Sequence, residues 1–468
     1  MWHASQSPPV LAAGLCSLIA ACGGDSSPAV AAPNVLFVTV DTLRADHLGC
    51  YGYFRDTSPR IDALAEESIL FERCGVPMAT TLPSHVSMLT AAWPLEHGVL
   101  ANVAHGGQAF RPSPGLLSVA EVFRDCGYRT AAFTSAKPLR QDSGVAAGFE
   151  HFDESEARER RGDVTVRRAL RWLGERRAEA PDVPFFLWVH LFDPHDPFNA
   201  PPPYGQTFQT DAALEAYLEE REISIDSQSH GRRLVDTRRA HNAYDGEILF
   251  TDHLVGLMLD ALEEHGVRDD TLVVLLGDHG EGLGQHGMPG HGFIWEEQLQ
   301  APLVMRVPGL APRRVEAGVS SLDVFPTLLS RVNLPCAEAF LEQSSGIDVL
   351  AEGFEQRPLF AQSTARLATF GQAQAYTLTL GRWKLVRVAE EPLRLYDLET
   401  DPHELRDLAR QEPELAGRME EELLHLLGEQ KRRADGLGKG ETIQLDPKTL
   451  KALEDLGYVG GAVDDAGE

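Results

Sequence analysis

The chain has 468 residues, 43% of them hydrophobic, enough for a sizeable core in one large α/β domain or in a large and a small one. Its 42 basic and 70 acidic residues give a formal net charge of −28. That argues against a nucleic-acid binder, which needs a basic face, and leaves room for a local basic pocket that takes an anion.

Residues 10–21 are apolar and small, too short for a permanent bilayer span, and read as the core of a signal peptide over residues 1–21. The run ends in Ile19-Ala20-Ala21-Cys22-Gly23-Gly24, similar to a bacterial lipoprotein box with Cys22 as the lipidated first residue. Residues 22–33 then form a tether rich in Ser, Ala and Gly. The expectation is an exported protein, in the periplasm or at the cell surface, that meets the membrane only through a lipid anchor at Cys22. Cys50, Cys74, Cys126 and Cys336 are widely spaced with no Cys-x-x-Cys pair, so thiolate metal binding is not expected. Export permits disulfides, but their pairing is not legible.

Residues 34–40 are a short apolar run rich in β-branched residues and read as a buried parallel strand. Asp41 stands at its carboxyl end, where open α/β sheets place ligands; it is set for a metal or substrate, or it starts a turn. A polar, glycine-punctuated loop over 41–52 follows, and Ser58-Pro59 caps a helix to about residue 68, with Ile61, Leu64 and Ala65 on one face. Thr80-Thr81-Leu82-Pro83-Ser84-His85 reads as a loop turning into a helix. Such a helix start suits an anion, and a hydroxyl there could attack phosphorus or sulfur if a metal lowered its pKa; the plain alternative is an N-cap. Residues 117–126 form an amphipathic helix stopped by Gly127, and 130–134 a strand with Lys137 just beyond, either an anion contact or a surface lysine.

Residues 155–180 read as a charged helix, and 184–191 as another buried strand. That strand empties into Phe192-Asp193-Pro194-His195, a pairing that suits a catalytic His, a metal ligand or an Asp-Pro turn. A long helix spans about 232–265. A third buried strand, 271–276, ends in Gly277-Asp278-His279-Gly280-Glu281. Adjacent Asp and His there offer the oxygen and nitrogen ligands of a Zn²⁺, Mn²⁺ or Ca²⁺ site, or merely close the strand. Residues 301–307 give a further strand. Runs at 374–380, 383–388 and 393–398 form a small antiparallel sheet, followed by helices at about 412–434 and 445–459. The fold class is α/β: a large, mostly parallel sheet flanked by helices over 34–370, with a small C-terminal antiparallel-sheet subdomain and tail over 371–468.

Together these residues resemble the sulfatase family of the alkaline phosphatase superfamily, over about residues 34–460. The markers are Asp41 with Leu48-Gly49-Cys50-Tyr51-Gly52, Pro83-Ser84 with Leu89-Thr90, Asp193-Pro194-His195, Gly277-Asp278-His279-Gly280-Glu281, and Leu395-Tyr396-Asp397-Leu398 with Asp401-Pro402 and Glu404. The resemblance implies a divalent cation (Ca²⁺, Mn²⁺ or Zn²⁺) held by Asp41, Asp278, His279 and the Thr81 oxygen. It implies that His195 touches the substrate's anionic group or leaving oxygen, with His291, near the place of a family lysine, or His85 assisting. Asp193, His195 and His291 could supply part of a second metal site. The implied partner is an anionic ester: a phosphorylated or sulfated lipid, glycan or small molecule.

Two departures shape the expected chemistry. The second ligand of the family's Asp-Asp pair is Thr42, and its Cys-x-Pro-Ser-Arg motif reads Thr81-Leu82-Pro83-Ser84-His85. Formylglycine, which sulfatases make from Cys or Ser at that position, cannot form from threonine. Threonine instead gives a covalent ester that water must cleave, as in the threonine-dependent nucleotide pyrophosphatase/phosphodiesterases and the phosphoethanolamine and lipoteichoic-acid transferases. The sequence therefore points first to phosphoryl transfer through Thr81. A sulfatase acting on a glycan or aryl sulfate is the alternative, and a catalytically inactive cell-surface binding protein is another.

Overall fold

The computed structural model describes residues 32–104, 108–156, 159–223, 228–230, 233–287, 289–332, 334–364 and 374–455. The expected signal peptide, Cys22 and all but the last two residues of the tether lie outside them. A nine-stranded sheet organises the chain. Its strands are β1 (Asn34–Val40), β2 (Ile69–Gly75), β3 (Arg129–Thr134), β4 (His151–Asp153), β5 (Phe185–Leu191), β6 (Thr271–Gly277), β7 (Gln300–Arg306), β8 (Arg313–Val315) and β9 (Val319–Ser320). Their spatial order is β8-β2-β7-β6-β1-β5-β3-β4, with β9 also on β2. Only β7 runs antiparallel to its neighbours in this sheet.

β1 is central and buried along its whole length, which is why its sequence is an unbroken apolar run. Its alternate side chains feed two cores. Leu36, Val38 and Val40 pack with α1 (Pro59–Glu66), α3 (Gly162–Glu179) and α4 (Thr237–Glu264) through Ile61, Leu64, Val166, Leu173, Ile248 and Leu262. Val35 and Phe37 pack on the other face with Leu82, Val86 and Leu89 of α2 (Thr81–Thr90). Each such buried side chain contributes about 1.5–3 kcal/mol, so the sheet centre is the firmest part of the molecule.

Strand β2 escapes the sequence pattern because Glu72 and Arg73 interrupt its apolar run. Helix α3 starts at Gly162 rather than near 155, for a reason given by Asp193 below. The disulfide Cys126–Cys336 ties residues 210 apart in sequence; Cys50 and Cys74 remain thiols. Four antiparallel strands, β10 (Leu359–Ser363), β11 (Ala375–Leu380), β12 (Trp383–Val388) and β13 (Arg394–Asp397), make the small C-terminal sheet. Helix α5 (Pro413–Leu437) covers it, with Met419 and Leu423 against Leu378, Leu385 and Leu395. The small sheet thus takes its first strand from before residue 370, where the sequence placed its boundary. No helix among the described residues is long and apolar enough to cross a membrane.

Candidate metal and active centre

The register of β1 on β6 pairs Val40 with Gly277, so the next residues, Asp41 and Asp278, leave the sheet side by side. Asp278 N–H donates to Val40 O, and Asp41 N–H to Leu191 O. Asp278 Oδ1 accepts the backbone N–H of Thr42 at 3.1 Å and of His279 at 2.7 Å. The Thr42 N–H is presented by an unusual backbone, with φ of 51° on a β-branched residue. Tyr244 steadies that turn by donating its hydroxyl to Thr42 O.

One ligand atom from each of Asp41, Asp278 and His279 lies within 4.8 Å of the others, all buried. His279 Nδ1 meets Gly280 O at 3.0 Å; an N–H must donate there, which leaves Nε2 deprotonated and 3.6 Å from both Asp41 Oδ1 and Asp278 Oδ2. Asp41 Oδ1 and Oδ2, Asp278 Oδ2 and His279 Nε2 have no hydrogen-bond partner among the described residues. Thr81 Oγ1 is also buried without one, beside the Asp41 carboxyl. Orphaned polar atoms cost about 1–3 kcal/mol each. A divalent cation would satisfy all of these at once, and the donor set of oxygens and one imidazole fits it.

The electrostatics carry the same mark. Burial pushes Asp41 up to about 6, with nearby His195 opposing the shift. Burial and then the Asp41 charge push Asp278 well above the usual carboxylate range. Burial, with His291 next, holds His279 far below its ordinary value, hence neutral and able to ligate.

Thr81 is the first residue of α2, as the sequence suggested. Thr80 does not cap the helix with its side chain; instead Asn102 Oδ1 accepts the Leu82 N–H at 2.8 Å. Ser84 Oγ donates to Asp278 O at 2.6 Å and locks the helix to the metal loop. His195 and His291 meet in front of the carboxylates, Nε2 to Nε2 at 3.1 Å. Their Nδ1 atoms lie against carbonyls, Asp196 O at 2.5 Å and Ala79 O at 3.1 Å. One proton shared between the two Nε2 atoms would make that pair an acid aimed at a leaving group.

Three sequence expectations land elsewhere. His85 is wholly buried, with Nδ1 on Thr81 O at 2.8 Å and Nε2 on Thr39 Oγ1 at 3.0 Å, so it braces the first turn of α2 from inside the core. Asp193 is taken up in a helix cap: its carboxylate accepts the Gly162 N–H at 2.9 Å at the start of α3, whose flanking Arg161 offers no side-chain cap. Lys137 Nζ donates to Ser155 O and Glu156 O, which directs it to backbone carbonyls. Sequence reasoning missed Thr39, Asn102 and His190. His190 lies inside the apolar run of β5, yet its Nε2 is 3.6 Å from Asp41 Oδ2. A lone imidazole one residue from the end of a buried strand was the available signal.

Residues 33–334 match the sulfatase family, and residues 284–430 match the N-sulphoglucosamine sulphohydrolase C-terminal family. The chain belongs to the sulfatase family. It is a hydrolase of the alkaline phosphatase superfamily acting on sulfate or phosphate esters. It is 30% identical over 242 residues to a choline-sulfatase of Rhizobium meliloti (strain 1021), a match spanning 48% of this chain and 46% of that protein. It is 24% identical over 410 residues to an ulvan-active sulfatase of Formosa agariphila, spanning 80% and 77%. The solved phosphonate monoester hydrolase of Agrobacterium radiobacter superposes with a TM-score of 0.67 at 25% identity, covering 85% of this chain and 96% of that one.

Proposed function

We propose that the protein hydrolyses a sulfate ester carried on a saccharide, with Thr81 as nucleophile in a centre that holds a divalent cation through Asp41, Asp278 and His279. The observation that carries the reading is the Thr81 hydroxyl, buried without a partner beside the orphaned Asp41 carboxyl. Sulfate is favoured by the choline-sulfatase and ulvan-active sulfatase among the relatives. The cation, when bound, supplies positive charge that eases loss of the Thr81 proton and offsets charge on the transferred group. The Thr81 proton passes to water, Oγ1 attacks sulfur, the Oγ1–S bond forms and the S–O bond to the sugar breaks. The His195–His291 pair gives the leaving oxygen its proton. Water then attacks the same sulfur, one of its protons restores the Thr81 hydroxyl, the other returns to the His195–His291 pair, and sulfate leaves.

Phosphate mono- or diester hydrolysis is the second reading. Threonine itself favours it, since the residue cannot mature to the aldehyde of the family's sulfatases, and so does the likeness to a phosphonate monoester hydrolase. Mn²⁺-, Zn²⁺- or Ca²⁺-loaded protein is assayed on sulfated oligosaccharides, aryl sulfates, and aryl phosphate mono- and diesters, beside Thr81→Ala. Sulfate turnover that falls at least ~10³-fold in Thr81→Ala is the expected result. Phosphate ester turnover alone transfers the assignment to the second reading. No turnover on any ester, with no metal bound, means a binding protein. The same proposal places the protein outside the cytosol on a Cys22 lipid, supported by the Cys126–Cys336 disulfide. Cys22→Ala is expected to move it from the membrane to the soluble fraction.

A further inference from the structure

The face of α2 that packs on β1 carries Leu82, His85, Val86 and Leu89, so His85 stands where the helical spacing calls for an apolar side chain. Thr39 continues the Val35 and Phe37 face of β1, two residues before Asp41. Both are fully buried, and Thr39 Oγ1 lies 3.0 Å from His85 Nε2. Strand β5 brings two more rings to the same oxygen, Trp188 Nε1 at 2.9 Å and His190 Nδ1 at 3.1 Å. Its register pairs His190 with Thr39.

The direction of each hydrogen bond follows from what each group can donate or accept. Burial holds both imidazoles neutral. His85 Nδ1 faces the Thr81 carbonyl at 2.8 Å, which only accepts, so Nδ1 carries the ring's one proton and Nε2 is an acceptor. The Thr39 hydroxyl must then donate to His85 Nε2. Its two lone pairs take the Trp188 N–H and the N–H at His190 Nδ1. Strand β5 thus fills both acceptor sites on Thr39 and leaves its proton one destination. The result is a directed chain, Thr39 O–H to His85 Nε2 and His85 Nδ1–H to Thr81 O. It runs from the strand that ends in Asp41 to the helix turn that bears Thr81.

That turn needs outside support, because the first N–H groups of a helix have no partner within it and helix ends fray. Asn102 holds it at the Leu82 N–H, and Ser84 holds it against Asp278 O. The Thr39–His85 chain holds Thr81 itself. Misplacing a reacting atom by about 1 Å costs about 10²-fold in rate. An apolar pair at 39 and 85 would fill the same core and fix no direction.

We infer that Thr39 is a positioning residue for the reaction: through His85 it fixes the Thr81 turn, and so the Oγ1 atom, relative to the Asp41 carboxylate. This rests on reading Thr81 as the nucleophile.

The test compares wild type, Thr39→Val and Thr39→Ser. It measures kcat and KM on the ester that the Mn²⁺-loaded wild type cleaves, Mn²⁺ affinity by electron paramagnetic resonance, and amide exchange of residues 81–86 in the metal-free chains by mass spectrometry. Thr39→Val keeps the shape and loses the hydroxyl. It is expected to lower kcat about 10- to 100-fold, with KM and Mn²⁺ affinity within about twofold of wild type, and to speed exchange in the α2 turn. Thr39→Ser keeps the hydroxyl and is expected to restore both kcat and slow exchange. A kcat for Thr39→Val within about twofold of wild type overturns the role. So does an equal loss in Thr39→Ser, or a fall in Mn²⁺ affinity as large as the fall in kcat, which would place the effect on the ligands. If the wild type turns over no ester, the proposed function fails and exchange alone decides: faster exchange in Thr39→Val, reversed in Thr39→Ser, upholds the positioning, and equal exchange in all three overturns it. If Thr39→Val does not fold, His85→Leu, which breaks the same chain from the helix side, is read in its place.

Discussion

Two of the buried charged clusters among the described residues differ in one respect. In the C-terminal cluster, Lys384 is fully buried, with Nζ 2.8 Å from both Glu296 and Glu404 and donating to Ile294 O at 2.7 Å. Glu404 also accepts the Glu296 N–H at 2.7 Å. That cluster carries its own cation and closes on folding, pinning the small sheet to the loop after His291. The centre at the strand ends has carboxylates and imidazoles of the same kinds, but no Lys or Arg contacts Asp41 or Asp278 there among the described residues, and their outward atoms stay orphaned. Burial with internal compensation marks a structural joint. Burial without it marks a place that waits for a ligand.

Substitutions can break that contrast. The largest effect is expected for Asp278→Asn, which keeps an oxygen for the Thr42 and His279 N–H groups and removes the charge: tight metal binding and turnover fall by at least ~10³-fold, while the metal-free protein unfolds at no lower denaturant concentration. Lys384→Met should do the reverse, destabilising the fold by about 3–5 kcal/mol through the carboxylates left behind. Equal destabilisation by the two substitutions in chelator would erase the distinction.

The pH dependence sharpens it. Asp41 titrates at about 6 in the metal-free fold, against about 3.9 in an unfolded chain, so between those values the folded state binds more protons. The Asp41 contribution to stability in chelator, read as wild type minus Asp41→Asn, therefore falls as pH rises from about 4 through 6, whereas metal binding strengthens over the same interval. Urea unfolding at both ends of that window, with and without Mn²⁺, should give opposite slopes. The smallest effect belongs to Asn102→Ala, which leaves the Leu82 N–H uncapped and should lower stability by about 1 kcal/mol. A loss above ~3 kcal/mol would mean that Asn102 does more than cap the helix.

The places of Asp41, Thr81, Asp278 and His279 in the fold were legible in the sequence because each follows a signal that short-range physics writes plainly: the end of an apolar strand, or a hydroxyl at a helix start. The central strands were legible for the same reason. What escaped depends on partners far along the chain. Asn102 caps a helix from a loop, Asp193 looked like a ligand until α3 took its carboxylate, and His190 is hidden by the hydrophobicity that buries it. The Cys126–Cys336 pairing, across 210 residues, has no local signature at all.

The left-handed turn at Thr42 also bears on engineering. A β-branched residue with φ of 51° is strained by about 1–3 kcal/mol, whereas aspartate and asparagine enter that region far more readily. Thr42→Asp therefore relaxes the backbone and adds a third carboxylate beside the group that could hold a cation. The two consequences reinforce each other, and the shift is toward the oxygen-rich surroundings that calcium prefers. The donor set offered to a cation thus lies one residue away from change, at a position where the chain is already bent to receive it.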